Sequence, residues 1–275
     1  MATFSAFADE IAPDLPTQMD VCEQHEVRCI DVRGIDGVNV SAFTTEQARE
    51  YRKRMSDRGF SVPCIGSPIG KIRVDEPFDP HLELLKHCFE VADAFGTTRV
   101  RVFSFYGPEG GDVMDCREEV MRRLEAMAAA AESAGMDLML ENEKGIYGAK
   151  PDGVKDIFAT IRSDRLQGVF DPSNYVEEGV APYDEAWTRG LAELTHYFHI
   201  KDKVPGQGTC VPAGEGHGQI PEVLADAARR GFDGYLTLEP HLAASGQFAG
   251  FTGPDRFARA VEGLRKVCDR VGLAY

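Results

Sequence analysis

Gly135-Met136-Asp137-Leu138-Met139-Leu140-Glu141-Asn142-Glu143 is the stretch from which the fold can be read. A glycine closes a helical pattern, a short apolar run follows, and the run ends on acids and an amide. The glycine suits a helix C-terminus, where the chain turns through positive φ. A short apolar run bounded in this way suits a strand buried on both faces. The same phrase recurs downstream: Gly168-Val169-Phe170 ends on Asp171, Tyr197-Phe198 on His199, and Leu236-Thr237-Leu238 on Glu239. Glu141, Asp171, His199 and Glu239 are separated by 30, 28 and 40 residues, about one strand-plus-helix unit each.

Outward from this core the alternation covers the chain. Strand-like runs lie at 4–10, 27–34, 61–67, 99–106, 136–143, 166–171, 197–202 and 235–239. Helical patterns follow at 14–24, 45–58, 81–95, 117–134, 153–161, 183–194, 221–230 and 254–271. Gly59, Gly96, Gly135 and Gly231 stand between a helix and the next strand, and Pro221 and Pro254 stand in first helical turns. Eight such units without a composition break predict an α/β fold, a single (β/α)8 TIM barrel over residues 1–275. A doubly wound open sheet is the alternative, but no Gly-x-Gly-x-x-Gly follows the first run.

Composition narrows the function classes. The 275 residues match the roughly 250 of such a barrel. A hydrophobic content of 43% supplies a large core, and a net charge of −15 opposes binding to nucleic acid. Seven cysteines, an odd number without a Cys-x-x-Cys pair, predict reduced thiols and a cytoplasmic protein. Cys64, at the end of the third run, reads as a small buried hydrophobe close to the strand ends. Met1-Ala2-Thr3-Phe4-Ser5 lacks a basic segment followed by an apolar run, and no apolar stretch reaches the roughly 18 residues of a membrane helix. No nucleic-acid or membrane partner is therefore expected; a homo-oligomer is compatible with this composition.

In a TIM barrel the working face is the C-terminal end of the strands. Polar residues collect at those ends here. Four neighbouring strands would aim Glu141, Asp171, His199 and Glu239 at one point. Three carboxylates in a barrel mouth repel one another unless a cation joins them. Three oxygens and one nitrogen suit one divalent metal ion, Mn²⁺ first, with Mg²⁺, Co²⁺ or catalytic Zn²⁺ as alternatives. Structural zinc is disfavoured, since no cysteine takes part. Candidate substrate contacts are Asp9, Arg33, Ser104, Asn174, Lys201, His217 and His241. Lys201 stands two residues beyond His199 and so shares its face. His217 lies in Gly214-Glu215-Gly216-His217-Gly218, before the seventh helix, where such barrels often bind phosphate. His25, His81 and His87 fall on helices and are expected at the surface.

Leu138-Met139-Leu140-Glu141-Asn142, Phe170-Asp171-Pro172-Ser173-Asn174, His199-Ile200-Lys201-Asp202 and Leu236-Thr237-Leu238-Glu239-Pro240-His241 together resemble the sugar phosphate isomerase/epimerase group of the xylose-isomerase-like TIM-barrel superfamily. Phe7-Ala8-Asp9-Glu10-Ile11 and Pro212-Ala213-Gly214-Glu215-Gly216 are similar to the same group. The resemblance covers the whole chain. It implies that the quartet binds one divalent metal, that Glu141 and Glu239 act as the acid/base pair, and that the substrate is a small carbohydrate. Two positions depart from the ketohexose 3-epimerases of that superfamily: Asn174 stands where they commonly carry a histidine, and Tyr147 where they carry a second glutamate.

The expected chemistry is proton removal beside a carbonyl, through a metal-stabilised enediolate. Return of the proton to the other face gives an epimer, and return to the neighbouring carbon gives an isomer. Expulsion of a β-hydroxyl would make the chain a lyase or dehydratase acting on a keto-sugar or inosose. A non-catalytic sugar-binding module would not need Glu141 and Glu239 to converge. A phosphodiesterase like the superfamily's apurinic endonucleases needs several metals and a histidine-rich mouth, and this acidic chain offers only His199, His241 and His217 there.

Overall fold

A computed structural model describes residues 1–243 and 251–275. The main sheet contains β1 (Thr3–Ala6), β2 (Cys29–Ile30), β5 (Arg99–Val102), β6 (Asp137–Glu141), β7 (Leu166–Phe170), β8 (Thr195–Ile200) and β9 (Tyr235–Leu238). Its order is β2-β1-β9-β8-β7-β6-β5, and every pairing is parallel. A short antiparallel hairpin, β3 (Gly34–Ile35) and β4 (Val38–Asn39), branches off after β2.

The third expected strand closes the ring without forming a regular ladder. Isolated bridges join Cys29 to Ser61, Val32 to Ile65 and Ile65 to Val100, so residues 61–65 link β2 to β5. Pro63 lies in the middle and has no N–H to donate, which limits regular pairing there. Its carbonyl instead accepts from Thr97 Oγ1 at 2.6 Å.

Seven of the eight expected helices are present: α1 (Leu15–Gln24), α2 (Thr45–Ser56), α3 (Asp79–Phe95), α4 (Arg117–Ala134), α5 (Pro151–Thr160), α7 (Ile220–Arg229) and α8 (Pro254–Val271). Gly59, Gly96, Gly135 and Gly231 all take positive φ, between 69° and 83°. The expected helix at 183–194 is a correction. A short α6 (Pro172–Glu177) starts directly after β7, and residues 182–189 form a π turn and a 3-10 turn. Gly190 at φ 108° ends that segment, while buried Trp187 anchors it by donating from Nε1 to Asp226 at 2.8 Å. The helix histidines are also corrected: His81 is buried, its Nε2 accepting from Gly70 N at 2.7 Å, and His25 and His87 are partly buried.

Two cores result. The larger packs the helices against the outside of the sheet. The smaller fills the barrel interior with Cys64, Met139, Val169 and Tyr197. Cys64 is thus a core residue, and all seven cysteines are free thiols. Asp31 is also enclosed. It accepts from Ser5 Oγ at 2.8 Å, Tyr197 Oη at 2.8 Å and Thr237 Oγ1 at 3.0 Å. Burial pushes its carboxyl above the usual range, opposed by His199 and by these hydroxyls. The three donors lie on β1, β8 and β9, so one carboxylate ties three staves together under the site. A hydrogen bond to a charged group contributes about 1.5–3 kcal/mol. Tyr197→Phe should lower the stability by about that amount, read as a reduced urea midpoint with an unchanged slope. An unchanged midpoint would show that the Asp31 network does not hold these strands.

Candidate metal centre and active site

The polar residues stand at the C-terminal ends of their strands, which places them at the mouth. Glu141 is the last residue of β6, and Asp171 and Glu239 directly follow β7 and β9. His199 is the next-to-last residue of β8. One ligand atom from each of the four lies within 4.8 Å of the others, and none of the four is more than 4% exposed. His199 Nδ1 is 3.1 Å from Glu141 Oε1 and 3.8 Å from Glu239 Oε2. Lys201 Nζ is 2.8 Å from Asp171 Oδ2 and 3.6 Å from Glu239 Oε2.

These residues fit a metal ion. Among the described residues, Glu141 Oε2, Asp171 Oδ2, His199 Nδ1 and Glu239 Oε2 are buried atoms without a hydrogen-bond partner, one from each member of the quartet. Asp171 Oδ2 has the Lys201 ammonium 2.8 Å away as an ion pair. Unpartnered buried polar atoms are rare in folded proteins, and four facing one point form a donor set for a divalent cation. The surroundings hold the set in place. Asn142 accepts from Asp171 N at 2.8 Å and donates to Asp171 O at 2.9 Å, locking the ends of β6 and β7 together. Asp171 Oδ1 caps α6 by accepting from Asn174 N at 3.0 Å. Asn174 Nδ2 donates to Asn142 O at 2.8 Å and approaches Glu141 Oε1 at 3.4 Å.

The crowding shifts the pKa values of Asp171, Glu141, Glu239, His199 and Lys201. Burial raises the Asp171 carboxyl, with Lys201 opposing and Glu141 and Glu239 adding to the rise. For Glu141, burial is outweighed by His199 and Arg101, and its carboxyl is held low. For Glu239, Lys201, His241 and Arg33 likewise outweigh burial. Burial disfavours the His199 imidazolium, but Glu141 and Glu239 raise its pKa overall. Lys201 is raised in the same way, against burial, by Asp171 and Glu239.

A second cluster adjoins the first. His241 Nε2 lies 3.0 Å from Glu10 Oε1 and 3.5 Å from Glu239 Oε1, and Glu10 outweighs burial to raise its pKa to about 9. Glu10 also accepts from His241 N at 2.9 Å and from Thr252 Oγ1 at 2.7 Å. Arg33 spans the same acids: Nε donates to Asp9 Oδ2 at 2.8 Å, Nη1 to Glu239 Oε1 at 2.8 Å, and Nη2 is 3.6 Å from Glu10 Oε1. Its guanidinium stands among these carboxylates where a further metal ion would otherwise be needed.

A cavity of about 800 Å³ opens above both clusters. Asp9, Arg33, Asn174, Lys201 and His241 line it with Glu141 and Glu239. Asp171 and His199 are fully buried beside them. Two candidates lie elsewhere. Ser104 is fully buried, and its Oγ accepts from Gly148 N at 2.7 Å. The chain leaves β5 at Val102 and turns through positive φ at Phe105, 67°, so Ser104 anchors a turn and does not line the cavity. His217 is exposed and also absent from the lining. Its loop is gathered by Asp202, whose carboxylate accepts from the backbone N–H of Lys203, Gly214, Gly216 and Gly218 at 2.8–3.0 Å.

Sequence reasoning missed Arg101, Phe7 and Glu10. Arg101 is 5% exposed and lines the cavity from inside β5. Its Cζ is 4.9 Å from the Phe7 ring centroid, and Arg33 Cζ is also 4.9 Å from the same ring centroid. Phe7 also meets His199 edge-on at 4.9 Å. Gly66 permits this arrangement, because a Cβ there would stand 2.6 Å from Phe7 Cε1. The signal for Arg101 was an arginine in the middle of Arg99-Val100-Arg101-Val102, an unusual place for a charge in a strand buried on both faces.

The geometry can be set beside known proteins. No curated protein matches the chain by sequence. Solved structures show the same fold. A probable 3-DHS dehydratase, AsbF, from Bacillus anthracis is 15% identical, with 96% of this chain and 99% of that chain covered and a TM-score of 0.76. A D-tagatose 3-epimerase-like protein is 18% identical, with 98% of each chain covered and a TM-score of 0.76. The IolI protein with a bound zinc atom is 15% identical, with 98% of each chain covered and a TM-score of 0.74. The family described as xylose isomerase-like TIM barrel matches residues 19–267. That match spans most of the parallel ring and its helices as well as all four quartet residues, and the chain belongs to this family.

Proposed function

We propose that the chain is a divalent-metal-dependent isomerase or epimerase acting on a sugar or sugar derivative, with Glu141 and Glu239 as its acid/base pair. The observation that carries this reading is the set of four unpartnered buried atoms, one from each quartet residue, facing one point beside a cavity of about 800 Å³. A divalent ion held by the quartet would supply Lewis-acid polarisation of adjacent substrate oxygens. Manganese is our first choice for this mixed set, and the zinc in IolI shows that one neighbour of this fold takes a divalent metal.

The chain's own groups account for proton movement. Glu141 and Glu239 come from strands three places apart in the ring and both reach the cavity. One removes a proton from the carbon beside the carbonyl, and the other delivers a proton to the opposite face or the neighbouring carbon. Glu239 is oriented for this by Arg33 and His241. Asn174 and Arg101 flank Glu141.

One observation favours dehydration as a second reading. His241, held as an imidazolium by Glu10 and Glu239, lines the cavity and offers a proton to a departing hydroxyl. The dehydratase AsbF shares the fold. A phosphodiesterase is disfavoured because Arg33 stands among the acids that further metals would require. The discriminating experiment is a screen of aldoses, ketoses, keto-sugars and inososes with Mn²⁺, read by mass and by proton NMR in D₂O. Isomerisation or epimerisation preserves mass and places deuterium at the reacting carbon, whereas dehydration loses water. Absence of turnover and exchange across the panel, with metal bound, would favour a binding module.

Two further outcomes are expected. Glu141→Gln and Glu239→Gln, reloaded with metal, should each lose roughly 10²–10⁴-fold in turnover with little change in fold stability. Near-normal turnover in both would end the proton-transfer role. Asp171→Asn should act through metal affinity, with partial rescue by excess metal; loss that metal cannot restore would contradict that division of labour.

Metal affinity should also depend on pH. Asp171 and His199 both have raised pKa values, so near neutrality an incoming ion competes with protons on them. Affinity should therefore rise with pH. Calorimetric Mn²⁺ titration should give a tighter Kd at about pH 8 than at about pH 6, with proton release at the lower value. Equal affinities and no proton release would contradict it.

A further inference from the structure

We infer that Arg101 is an oxyanion donor of this site: its Nη1 hydrogen-bonds the substrate oxygen that gains negative charge when the proton leaves. The inference rests on the acid/base reading above and adds a residue and a contact to it. Arg101 is held differently from the other arginine of the cavity. Arg33 is held by carboxylates, Nε donating to Asp9 and Nη1 to Glu239. Arg101 is fixed by neutral groups: Nη2 donates to Gly66 O at 3.2 Å, Nε approaches Ser67 O at 3.4 Å, and its Cζ lies 4.9 Å from the ring centroids of both Phe7 and Phe103. Among the described residues Nη1 makes no hydrogen bond. It stands 3.4 Å from Glu141 Oε2 and 4.0 Å from Glu239 Oε1, between the two proton-transfer groups.

A buried guanidinium immobilised in this way is pre-organised, because its position does not depend on the substrate. Its chemistry is also restricted. Nε and one N–H of Nη2 already face backbone carbonyls, so the side-on fork that arginine offers a carboxylate or phosphate is taken. What remains is the Nη1 end, which stands near the two glutamates. The step balances simply. The C–H bond breaks, the proton goes to one glutamate, and the electron pair moves through the carbon framework to the carbonyl oxygen, where Nη1 meets it. The preferred substrate is therefore one with a carbonyl oxygen at the reacting position.

The test compares wild type, R101M and R101K, each loaded with Mn²⁺. R101M keeps the stem between Phe7 and Phe103, and melting and metal content verify the fold and the site. Two probes are titrated calorimetrically: the hydroxamate of threonic acid, which is planar and carries the oxyanion, and xylitol, which is not. Deuterium wash-in is followed with D-fructose, D-tagatose and 2-keto-myo-inositol. We expect R101M to lose about 10²–10³-fold in exchange rate at little-changed KM, and to lose hydroxamate affinity by a similar factor while xylitol binding stays within about threefold. R101K, with charge but without the fixed fork, should recover only a minor part. Equal weakening of both probes, or restoration by lysine to within about threefold of wild type, would overturn the inference and leave Arg101 as a counter-ion of Glu141. Wild type that exchanges no probe and binds neither would overturn the acid/base reading, and this inference with it.

Discussion

Three carboxylates gathered inside a barrel mouth repel one another, and most of the site is a response to that repulsion. Glu141, Asp171 and Glu239 are nearly or wholly shielded from solvent, where unscreened charge is costly. The protein surrounds them with Lys201, His199, Arg33, Arg101 and His241, each within 4.0 Å of at least one of the three. Even so, each carboxylate keeps one buried oxygen without a hydrogen-bond partner, as does the imidazole. A divalent cation satisfies all four at once. The opposing shifts of Asp171 and Glu141 express the same tension: burial dominates one, and His199 and Arg101 dominate the other.

The cations themselves need support, and the fold supplies it with aromatic rings as well as with Asp9 and Glu10, which pair with Arg33 and His241. Phe7 lies against His199 and beneath both Arg33 and Arg101, and Phe103 takes the far face of Arg101. Gly66 leaves room for the Phe7 ring. Lower in the barrel, Asp31 joins β1, β8 and β9 through three hydroxyls. On the loop side, Asp202 collects four backbone N–H groups from the segment after β8. Each device fixes a wall of the site with short-range contacts, so the ligand groups do not rely on one another for position.

Much of this was legible in the sequence because it follows from periodicity. Glu141, Asp171, His199 and Glu239 each end or nearly end an apolar run, and strand alternation put Lys201 beside His199. What escaped the reading was set by contacts distant in sequence. Ser104 follows a strand too, yet the turn at Phe105 carries it out of the mouth. His217 lies in a loop whose path is dictated by Asp202, not by local pattern. Arg101 sits in the middle of a run, where only a closed barrel tells which face looks inward. The helix expected at 183–194 had the apolar spacing, but the stretch breaks into a π turn and a 3-10 turn, with Gly190 at positive φ ending them and the indole of Trp187 drawn to Asp226. Residues 61–65 complete the ring with bridges instead of a ladder because Pro63 lacks a donor.

The central claim is that one metal centre organises this mouth. The most direct measurement is anomalous diffraction from crystals grown with Mn²⁺. The account predicts a single strong peak between Glu141, Asp171, His199 and Glu239, lost in His199→Ala. A peak between Glu10, Glu239 and His241 instead, or crystals with Mn²⁺ in solution and none at the quartet, would contradict it.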